Sequence, residues 1–246
     1  MNFLKNKILL ITGGTGSFGN AAVEYLLKKS KFKKIIIFSR DENKQYLMQN
    51  RFKDQRLRFF IGDVRDEDRL LMAFRNVDFV IHAAAQKHVP SAEYNPIECI
   101  KTNVNGAQSI ISAAIKSEVK KVINLSTDKA CNPINLYGAS KLCAEKLFIN
   151  ANQLAGKLET KFSTVRYGNV IASRGSVIPL FVDLSRQKNT KIPLTHKSMT
   201  RFFITLEQAV NFVISSLDNM IGGEIFIPKM HSIFIDQLIK IINPKA

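Results

Sequence analysis

The feature that most constrains the fold is a glycine-rich turn between a strand pattern and a helix pattern. The apolar run at residues 7–12 leads directly into Gly13-Gly-Thr-Gly-Ser-Phe-Gly19, and a helical pattern of apolar residues follows. Gly14, Gly16 and Gly19 have the spacing of a dinucleotide-binding turn, in which glycines permit a tight bend and close approach of the backbone to a pyrophosphate. N–H groups at the start of the next helix then hold the phosphates. The sequence therefore predicts a dinucleotide site in the first βα unit.

Further apolar runs recur at regular intervals and predict a doubly wound parallel sheet. Strands are predicted at residues 34–38, 57–61, 77–81, 122–125 and 162–166, with helical patterns between them. After Tyr167 this alternation stops, so we predict a Rossmann-type α/β domain over residues 1–168 and a smaller substrate lobe over 169–246. In the lobe the pattern predicts helices at 177–187, 206–219 and 234–242 and a strand at 224–227.

A long helix is predicted to begin near Pro96 and to carry two asparagines. Its spacing places four apolar residues on the buried side, namely Ile100, Val104, Ile111 and Ile115. Asn103 and Asn105 interrupt the pattern. Such an asparagine could hydrogen-bond the backbone of the site or could face solvent.

The end of the second predicted strand bears on the type of dinucleotide. Ser39 and Arg40 stand about 20 residues after Gly19, where NAD-binding domains usually carry an acidic residue for the ribose 2′-hydroxyl. A carboxylate would repel a 2′-phosphate, whereas Arg40, with Lys44 one turn further on, can bind it. The pattern favours NADP; the alternative is that Arg40 is a solvated loop charge.

Residues after the third and fourth strands complete the predicted cofactor site. Asp63 could accept a hydrogen bond from an adenine amino group, and the small Ala83 and Ala84 would let a flat cofactor lie against the backbone. His82 is interpreted as a packed histidine at a strand end. The residues assigned to the cofactor are Gly13, Thr15, Gly16, Ser17, Phe18, Gly19, Ser39, Arg40, Lys44, Asp63, Val64, Ala83, Ala84, Asn103, Tyr137 and Lys141.

Four ionisable side chains follow the fifth predicted strand. Asp128 and Lys129 stand at its end, and Tyr137 and Lys141 lie four apart at the start of a helical pattern, on one helix face. A tyrosine with a pKa of ~10 is a poor base at neutral pH. A neighbouring ammonium and a positive nicotinamide ring favour its phenolate, which can take a proton from an alcohol. Asp128 and Lys129 are either a local ion pair or part of this chemistry, and the nearby Tyr137 favours the second interpretation.

The glycine turn followed by Tyr-x-x-x-Lys resembles the extended short-chain dehydrogenase/reductase family. Within that family the chain is similar to the inverting UDP-N-acetylglucosamine 4,6-dehydratases, which begin pseudaminic acid synthesis in bacteria. The motifs that carry the resemblance are Thr12–Gly19, Ser39–Glu42, Gly62–Asp66, Lys87–Pro90, Ala92–Pro96, Ser126–Ala130, Asn132–Tyr137 and Arg166–Val170. The resemblance implies a Rossmann domain with a carboxyl-terminal sugar-nucleotide lobe. Members of the group are longer, so it also implies that the lobe is partial in this chain.

The resemblance further implies a role for each catalytic candidate. Tyr137 would deprotonate the sugar 4-hydroxyl as hydride passes to NADP. Lys129, when neutral, would remove the proton on carbon 5, and Asp128, when protonated, would donate to the hydroxyl leaving carbon 6. Thr127 and Lys141 complete the implied catalytic set. Implied contacts to UDP-N-acetylglucosamine come from Lys87, Asn169, Val170, Arg174, Thr195 and Arg201.

The charge of the chain limits the kinds of partner to consider, and its cysteine content bears on the cellular compartment. The chain has 36 Lys and Arg against 20 Asp and Glu, a formal net charge of +16, which could serve nucleic acid, an anionic membrane or a phosphorylated substrate. The lysines are scattered along the sequence, so we interpret them as solvated faces and expect no nucleic-acid or membrane partner and no metal. The three cysteines form no C-x-x-C pair, and no stretch approaches the ~20 apolar residues of a spanning helix. We therefore expect a cytoplasmic protein; the family resemblance implies a homo-oligomer, such as a hexamer.

Two other functions stay open at this point. A UDP-sugar 4-epimerase would need Tyr137 and Lys141 but not the pair formed by Asp128 and Lys129. A truncated NADP-binding protein without catalysis would bind the cofactor and not turn over.

Overall fold

The computed structural model describes residues 2–171, 177–187, 192–194 and 196–243, so the predicted contacts Arg174 and Thr195 lie outside the described residues. The strands are β1 Ile8–Thr12, β2 Lys34–Ser39, β3 Leu57–Ile61, β4 Phe79–His82, β5 Lys121–Thr127, β6 Lys161–Tyr167, β7 Asn169–Val170, β8 Thr200–Ile204, β9 Ile225–Phe226 and β10 His231–Phe234. The larger sheet is parallel in the order β3-β2-β1-β4-β5-β6-β9. The predicted Rossmann-type α/β fold is confirmed.

Helices cover both faces of this sheet, and two further helices, the eighth and tenth along the chain, pack together beside the smaller sheet. They are α1 Ser17–Lys29, α2 Glu42–Phe52, α3 Glu67–Ala73, α4 Val89–Tyr94, α5 Pro96–Ile100, α6 Gly106–Lys116, α7 Leu136–Leu154, α8 Val177–Ser185, α9 Leu206–Asn219 and α10 Ile235–Ile242. Short 3₁₀ turns lie at Asn2–Leu4 and Asp128–Ala130, and one π turn lies at Lys101–Asn105.

The core follows from the alternation of side chains along each strand. In β1, Leu9 and Ile11 point to the side covered by α1 and α9, whereas Leu10 points to the side covered by α3, α6 and α7. All three side chains are fully buried. A strand buried on both faces reads as a continuous apolar run, which is why the sequence identified these strands well.

The smaller sheet has the order β10-β8-β7 and lies in the part of the chain predicted to be the substrate lobe. The predicted boundary at residues 168 and 169 falls where the chain leaves β6 and enters β7. Beyond that point the chain does not stay in the lobe: α9 packs against α1, and β9 pairs with β6 in the larger sheet. Residues 206–226 therefore return to the dinucleotide-binding half of the molecule.

The long helix predicted from Pro96 is interrupted by the π turn, and this corrects its buried face. A π turn adds one residue to the helix. The residues before it are therefore rotated around the helix axis relative to the residues after it, and the two segments do not share the buried face that a regular helix would have. Ile100, predicted to lie inside, is 38% exposed, while Cys99, Thr102 and Asn103 are buried instead. Of the two asparagines, Asn103 points inward and Asn105 is exposed.

Within the described part of the chain, no helix is both long and apolar enough to cross a bilayer. Among the same residues, no cluster of His, Cys, Asp and Glu side chains could hold a metal ion.

Candidate active site

A cleft of about 1110 Å³ opens along the carboxyl ends of the parallel strands. Ligands bind at this edge in open α/β sheets. It is lined by most of the residues predicted from the sequence, namely Gly13, Thr15, Gly16, Ser17, Phe18, Ser39, Arg40, Lys44, Val64, Ala83, Ala84, Lys87, Thr127, Lys129, Tyr137, Lys141, Asn169, Val170 and Arg201. The cleft runs from the glycine turn, past β5, to the smaller sheet.

The glycine turn forms one end of the cleft. Gly13 has a φ of 62°, in the left-handed region that favours glycine, and a side chain there would meet the backbone of Ala84 at 2.8 Å. A side chain at Gly19 would lie 2.1 Å from the carbonyl oxygen of Gly14, so α1 packs directly on the turn. Gly19 is therefore a packing residue behind the cleft, and its assignment as a cofactor contact stays a prediction. No side chain caps α1, which leaves its N-terminus directed at the cleft.

The mouth of the cleft beside β2 is polar and basic. Thr15 Oγ1 and Ser39 Oγ are hydrogen-bonded at 2.8 Å, and Arg40 Nη1 lies 3.4 Å from Asp63 Oδ2. Asp63 also receives the guanidinium of Arg65 at 2.8 Å, and its neighbours Gly62 and Val64 line the cleft; its contact with adenine stays a prediction. Burial alone would raise the pKa of Asp63, but hydrogen bonds from Arg65 and the charge of Arg40 hold that pKa below its usual value.

Two orphaned hydroxyls face the same cleft. Among the described residues, Thr102 Oγ1 and Ser126 Oγ are buried without a hydrogen-bond partner, and both residues line the cleft. A buried hydroxyl without a partner costs free energy, so such groups at a cleft wall indicate a polar ligand. The glycine turn, the uncapped helix, the small Ala83 and Ala84 and these hydroxyls together fit a nicotinamide dinucleotide.

Asn103 supports the cleft from behind and does not line it. Its Oδ1 accepts from the Gln86 backbone N–H at 2.8 Å, and its Nδ2 donates to the Gln86 carbonyl at 2.9 Å. The same Nδ2 donates to Ser140 Oγ at 3.0 Å, and that hydroxyl donates to the carbonyl of Tyr137 at 2.8 Å. Asn103 therefore ties the loop before Lys87 to the start of α7; its assignment as a cofactor contact stays a prediction.

Tyr137 and Lys141 stand on the buried face of α7. Asn135 caps this helix, with Oδ1 accepting from Gly138 N at 2.8 Å, and so fixes the position of Tyr137. Burial raises the pKa of Tyr137 to about 12, the Asp128 carboxylate acts in the same direction, and hydrogen bonding to Thr127 opposes both. The expected lowering of this pKa by Lys141 is therefore not seen: burial dominates. A cation beside the phenol would lower the pKa of Tyr137 and so oppose the effect of burial.

Lys141 is 3% exposed and lines the cleft. Burial lowers the pKa of Lys141 to about 8, and the nearby Glu145 carboxylate acts in the opposite direction. Glu145 is itself held by the guanidinium of Arg166, with Nε at 3.0 Å from Oε1 and a second, shorter contact. His82 is packed as predicted: its Nδ1 lies 2.8 Å from Thr12 Oγ1, and burial lowers its pKa to about 3.

Asp128 and Lys129 form the ion pair that the sequence suggested, inside a larger network. Lys129 Nζ lies 3.0 Å from Asp128 Oδ1 and donates to Asn169 Oδ1 at 3.0 Å. Thr127 Oγ1 donates to the same Asp128 oxygen at 3.0 Å, and Thr127 also acts on Tyr137, whose pKa it lowers. Lys129 lines the cleft, whereas Asp128 lies behind it. Hydrogen bonds therefore connect Thr127, Asp128 and Lys129 in one series, which begins next to the phenol of Tyr137.

Sequence reasoning missed several residues of the cleft. Tyr167, at the end of β6, is buried near Tyr137 and lines the cleft, as do Gln86, Thr102 and Ser126. Each stands within a few residues of a strand end or on the face of the π turn. Position at the carboxyl edge of a predicted strand was the signal that could have found Ser126 and Tyr167.

The chain is similar to proteins named for two reactions of UDP-sugars. Residues 9–244 match the model of a family described as polysaccharide biosynthesis protein. The chain is 58% identical over 238 residues to a UDP-N-acetylglucosamine 4,6-dehydratase (inverting) of Campylobacter jejuni, covering 97% of this chain and 71% of that protein. It is 47% identical over 241 residues to a UDP-glucose 4-epimerase of Rickettsia akari, covering 97% of this chain and 70% of that protein.

A solved structure has the same fold. The X-ray structure of Pen from Bacillus thuringiensis superposes with a TM-score of 0.93 at 45% identity, covering 98% of this chain and 74% of that one.

Proposed function

This chain belongs to the polysaccharide biosynthesis protein family, and from that premise we propose that it is a sugar-nucleotide dehydratase that carries out the inverting 4,6-dehydration of UDP-N-acetylglucosamine. The product is a UDP-2-acetamido-2,6-dideoxy-4-keto-hexose with carbon 5 inverted. The observation that carries the proposal is the placement of Tyr137 beside the hydrogen-bonded series of Thr127, Asp128 and Lys129, in a cleft that fits a nicotinamide dinucleotide. The glycine turn, Ala83 and Ala84 would hold a nicotinamide dinucleotide, which would supply a reversible hydride acceptor. Hydride removed from carbon 4 would end on carbon 6, and a proton would be added to the opposite face of carbon 5.

Tyr137 is assigned the first proton transfer. Its phenol takes the proton of the sugar 4-hydroxyl as carbon 4 is oxidised, which makes the proton on carbon 5 acidic. Lys141 is buried one helical turn away and, when protonated, stabilises the phenolate that Tyr137 must become.

Asp128 and Lys129 are assigned the elimination. The ion pair and the neutral pair differ by one proton moving across the 3.0 Å hydrogen bond between them. Lys129, once neutral, takes the proton from carbon 5, and Asp128, once protonated, gives its proton to the hydroxyl that leaves carbon 6 as water. Thr127 and Asn169 hold the pair in place through their own hydrogen bonds.

For the cofactor we favour NADP. Arg40 is 55% exposed at the mouth of the cleft, and Asp63 holds one of its nitrogens at 3.4 Å, so the other guanidinium N–H groups can face a 2′-phosphate. Arg40→Ala should weaken NADP binding by roughly tenfold and NAD binding little, since a charge-assisted hydrogen bond is worth about 1.5–3 kcal/mol. An equal loss of affinity for NADP and NAD would contradict the assignment of Arg40 to the 2′-phosphate.

Sugar contacts are assigned to the far side of the cleft. Lys87, Asn169, Val170 and Arg201 line it there, and Arg201 projects from β8 with Nη1 donating to its neighbour's carbonyl at 2.8 Å. Burial lowers the pKa of Lys87, as expected for an amine inside a cleft.

The second candidate is a UDP-sugar 4-epimerase, which the similarity to the Rickettsia protein favours. It would use Tyr137 and Lys141 and leave Asp128 and Lys129 without a chemical role. Mass spectrometry after incubation with UDP-N-acetylglucosamine and NADP separates the two: dehydration lowers the sugar mass by one water, and epimerisation leaves it unchanged.

The same assay on Lys129→Ala tests the assigned base. Removing a proton-transfer group costs typically 10²–10⁴-fold in rate, so the variant should bind cofactor normally and form almost no dehydrated product. Lys146→Ala, an exposed lysine of α7, is the matched control and should keep full activity. Normal turnover by Lys129→Ala would show that Asp128 and Lys129 form an ion pair with a structural role only.

A further inference from the structure

The edge of the sheet opposite the cleft gathers lysines that are far apart in sequence. In a parallel sheet every strand starts at the same edge, and so every helix-to-strand loop lies there. In this chain those loops are basic: Lys31, Lys33 and Lys34 precede and start β2, and Lys120 and Lys121 precede and start β5. We name this surface, formed by residues 5–7, 29–34, 53–58, 118–121 and 154–161, the basic edge.

Backbone hydrogen bonds show that the basic edge is continuous. Lys33 N donates to Lys7 O at 2.9 Å, and Asn6 N donates to Lys31 O at 3.0 Å. On the other side of β1, Lys120 N donates to Asp78 O at 3.0 Å and Lys161 N donates to Lys120 O at 2.9 Å. Neighbouring strands are about 4.8 Å apart, so the lysines from β3 to β6 spread over about 24 Å.

Acidic side chains neutralise only part of this charge. Asp78 lies between two amines, at 3.4 Å from Lys7 Nζ and 3.2 Å from Lys120 Nζ, and Asp54 pairs with Arg56 at 2.8 Å. Within the described residues no ion pair involves Lys31, Lys33 or Lys157, and all three are exposed. Separations below the Debye length of about 10 Å at 0.1 M salt let these charges act together.

Exposed apolar side chains stand beside the lysines at one end of the basic edge. Leu154 and Leu158 flank Lys157 and are 72% and 39% exposed. Ile221, 79% exposed, belongs to the loop before β9, which is bonded to the start of β6 through Gly223 N and the Phe162 carbonyl at 2.8 Å. Three exposed aliphatic side chains therefore border Lys157 and Lys161.

We propose that the basic edge is a docking surface for an anionic phospholipid bilayer. A flat array of lysines matches the planar negative surface of such a bilayer, where each lysine near the surface contributes about 1 kcal/mol. Aliphatic side chains beside basic ones add apolar burial at the headgroup boundary. The cleft lies at the opposite edge of the sheet, so a docked molecule keeps it open to substrate.

Nucleic acid is the competing polyanion and fits less well. Binding of single strands relies on exposed aromatic side chains for stacking. In the described part of the chain the exposed aromatic residues are Tyr46, Tyr94, Phe202 and Phe234, none of which lies in the basic edge. Exposed leucines gain nothing from a phosphate backbone, whereas a bilayer buries them.

The test is co-sedimentation of the whole chain with vesicles of phosphatidylcholine alone and of phosphatidylcholine mixed with phosphatidylglycerol. We expect binding only to the mixed vesicles, weakening as salt is raised. The triple variant Lys31→Gln, Lys33→Gln and Lys157→Gln should bind about a hundredfold more weakly. Lys146→Gln, Lys197→Gln and Lys229→Gln remove the same charge from exposed lysines elsewhere and should leave binding nearly unchanged.

A second pair of variants tests the apolar part. Leu154→Gln should weaken binding to the mixed vesicles several-fold, while Ile134→Gln, at a side chain 93% exposed outside the basic edge, should not. Dehydratase activity without vesicles should be unchanged in all of these variants, which separates this proposal from the proposed function. Equal weakening by both triple variants, no binding to the mixed vesicles, or retention by duplex DNA that exceeds vesicle binding would each overturn the assignment.

Discussion

At the scale of single residues, the site depends on how charge is distributed along α7. Lys141 and Glu145 are successive members of one buried face, and Arg166 on β6 holds the carboxylate by two hydrogen bonds. Without Glu145, burial would lower the pKa of Lys141 further, because the carboxylate raises it. A residue that touches neither substrate nor cofactor thus sets the protonation of one that assists Tyr137.

Glu145→Gln should therefore narrow the pH range of activity. Lys141 assists only when protonated, so kcat/KM should fall as pH rises through its pKa, near 8 in the native protein. Loss of the carboxylate lowers that pKa, and the alkaline limb of the profile should move to lower pH. A glutamine can still accept from Arg166. The control is Lys146→Gln, on the exposed side of the same helix; an identical limb in Glu145→Gln and the native protein would contradict the assigned role.

At the scale of elements, the π turn at Lys101–Asn105 places Asn103 where it can bind both the Gln86 loop and α7. Asn103→Ala leaves the Gln86 N–H and carbonyl without their partner, which should cost about 1–3 kcal/mol in the free energy of unfolding. The position of Lys87 and Tyr137 should loosen as well, lowering kcat. Asn105→Ala, exposed on the same turn, should change neither denaturant unfolding nor turnover measurably.

A second element contact joins α7 to the turn that carries Asp128 and Lys129. A side chain at Gly138 would meet the Lys129 carbonyl oxygen at 2.2 Å. Gly138→Ala should push the two segments apart and reduce kcat by 10²-fold or more, since a misplacement of about 1 Å has that effect. Gly156→Ala, with a φ of 59° and open space around it, should lower stability through backbone strain and leave kcat unchanged.

How far the sequence predicted these elements depends on burial. Leu57–Ile61 was predicted to the residue, and Lys34–Ser39 to within one residue, because strands of the parallel sheet form continuous apolar runs. The strands of the smaller sheet, Thr200–Ile204 and His231–Phe234, were missed. They are half exposed and pair with each other across a long separation, so local pattern carries little of their signal.

The sequence also predicted many of the residues that line the cleft, because strand ends and the glycine turn can be located from the apolar runs. Residues at the ends of predicted strands or in the glycine turn, such as Gly16, Thr127 and Lys129, line the cleft as expected. Asn103, Asp63 and Asp128 are one layer back, because hydrogen bonds to Gln86, Arg65 and Lys129 hold them there. Which polar residue of a cluster faces the ligand depends on such contacts and not on spacing.

At the scale of the whole molecule, α9 joins the carboxyl-terminal part to the dinucleotide-binding half. Leu217 is fully buried in the same core as Val23 and Leu26 of α1. Leu217→Ala should cost about 2–5 kcal/mol, and both halves should lose stability in a single transition followed by circular dichroism and by cofactor binding. Ile134→Ala, at an exposed position, should change little. Two separate transitions in the native protein would contradict a shared core.

We expect one cleft to oxidise carbon 4 and to remove water across carbons 5 and 6, with no net redox change. Its most direct test is the fate of deuterium in UDP-N-acetylglucosamine labelled at carbon 4, followed by mass spectrometry and NMR of the product. We predict a 4-keto product lighter by one water that keeps the deuterium, now on carbon 6, with carbon 5 inverted. Deuterium returned to carbon 4 without loss of water, or lost to solvent, would contradict the account.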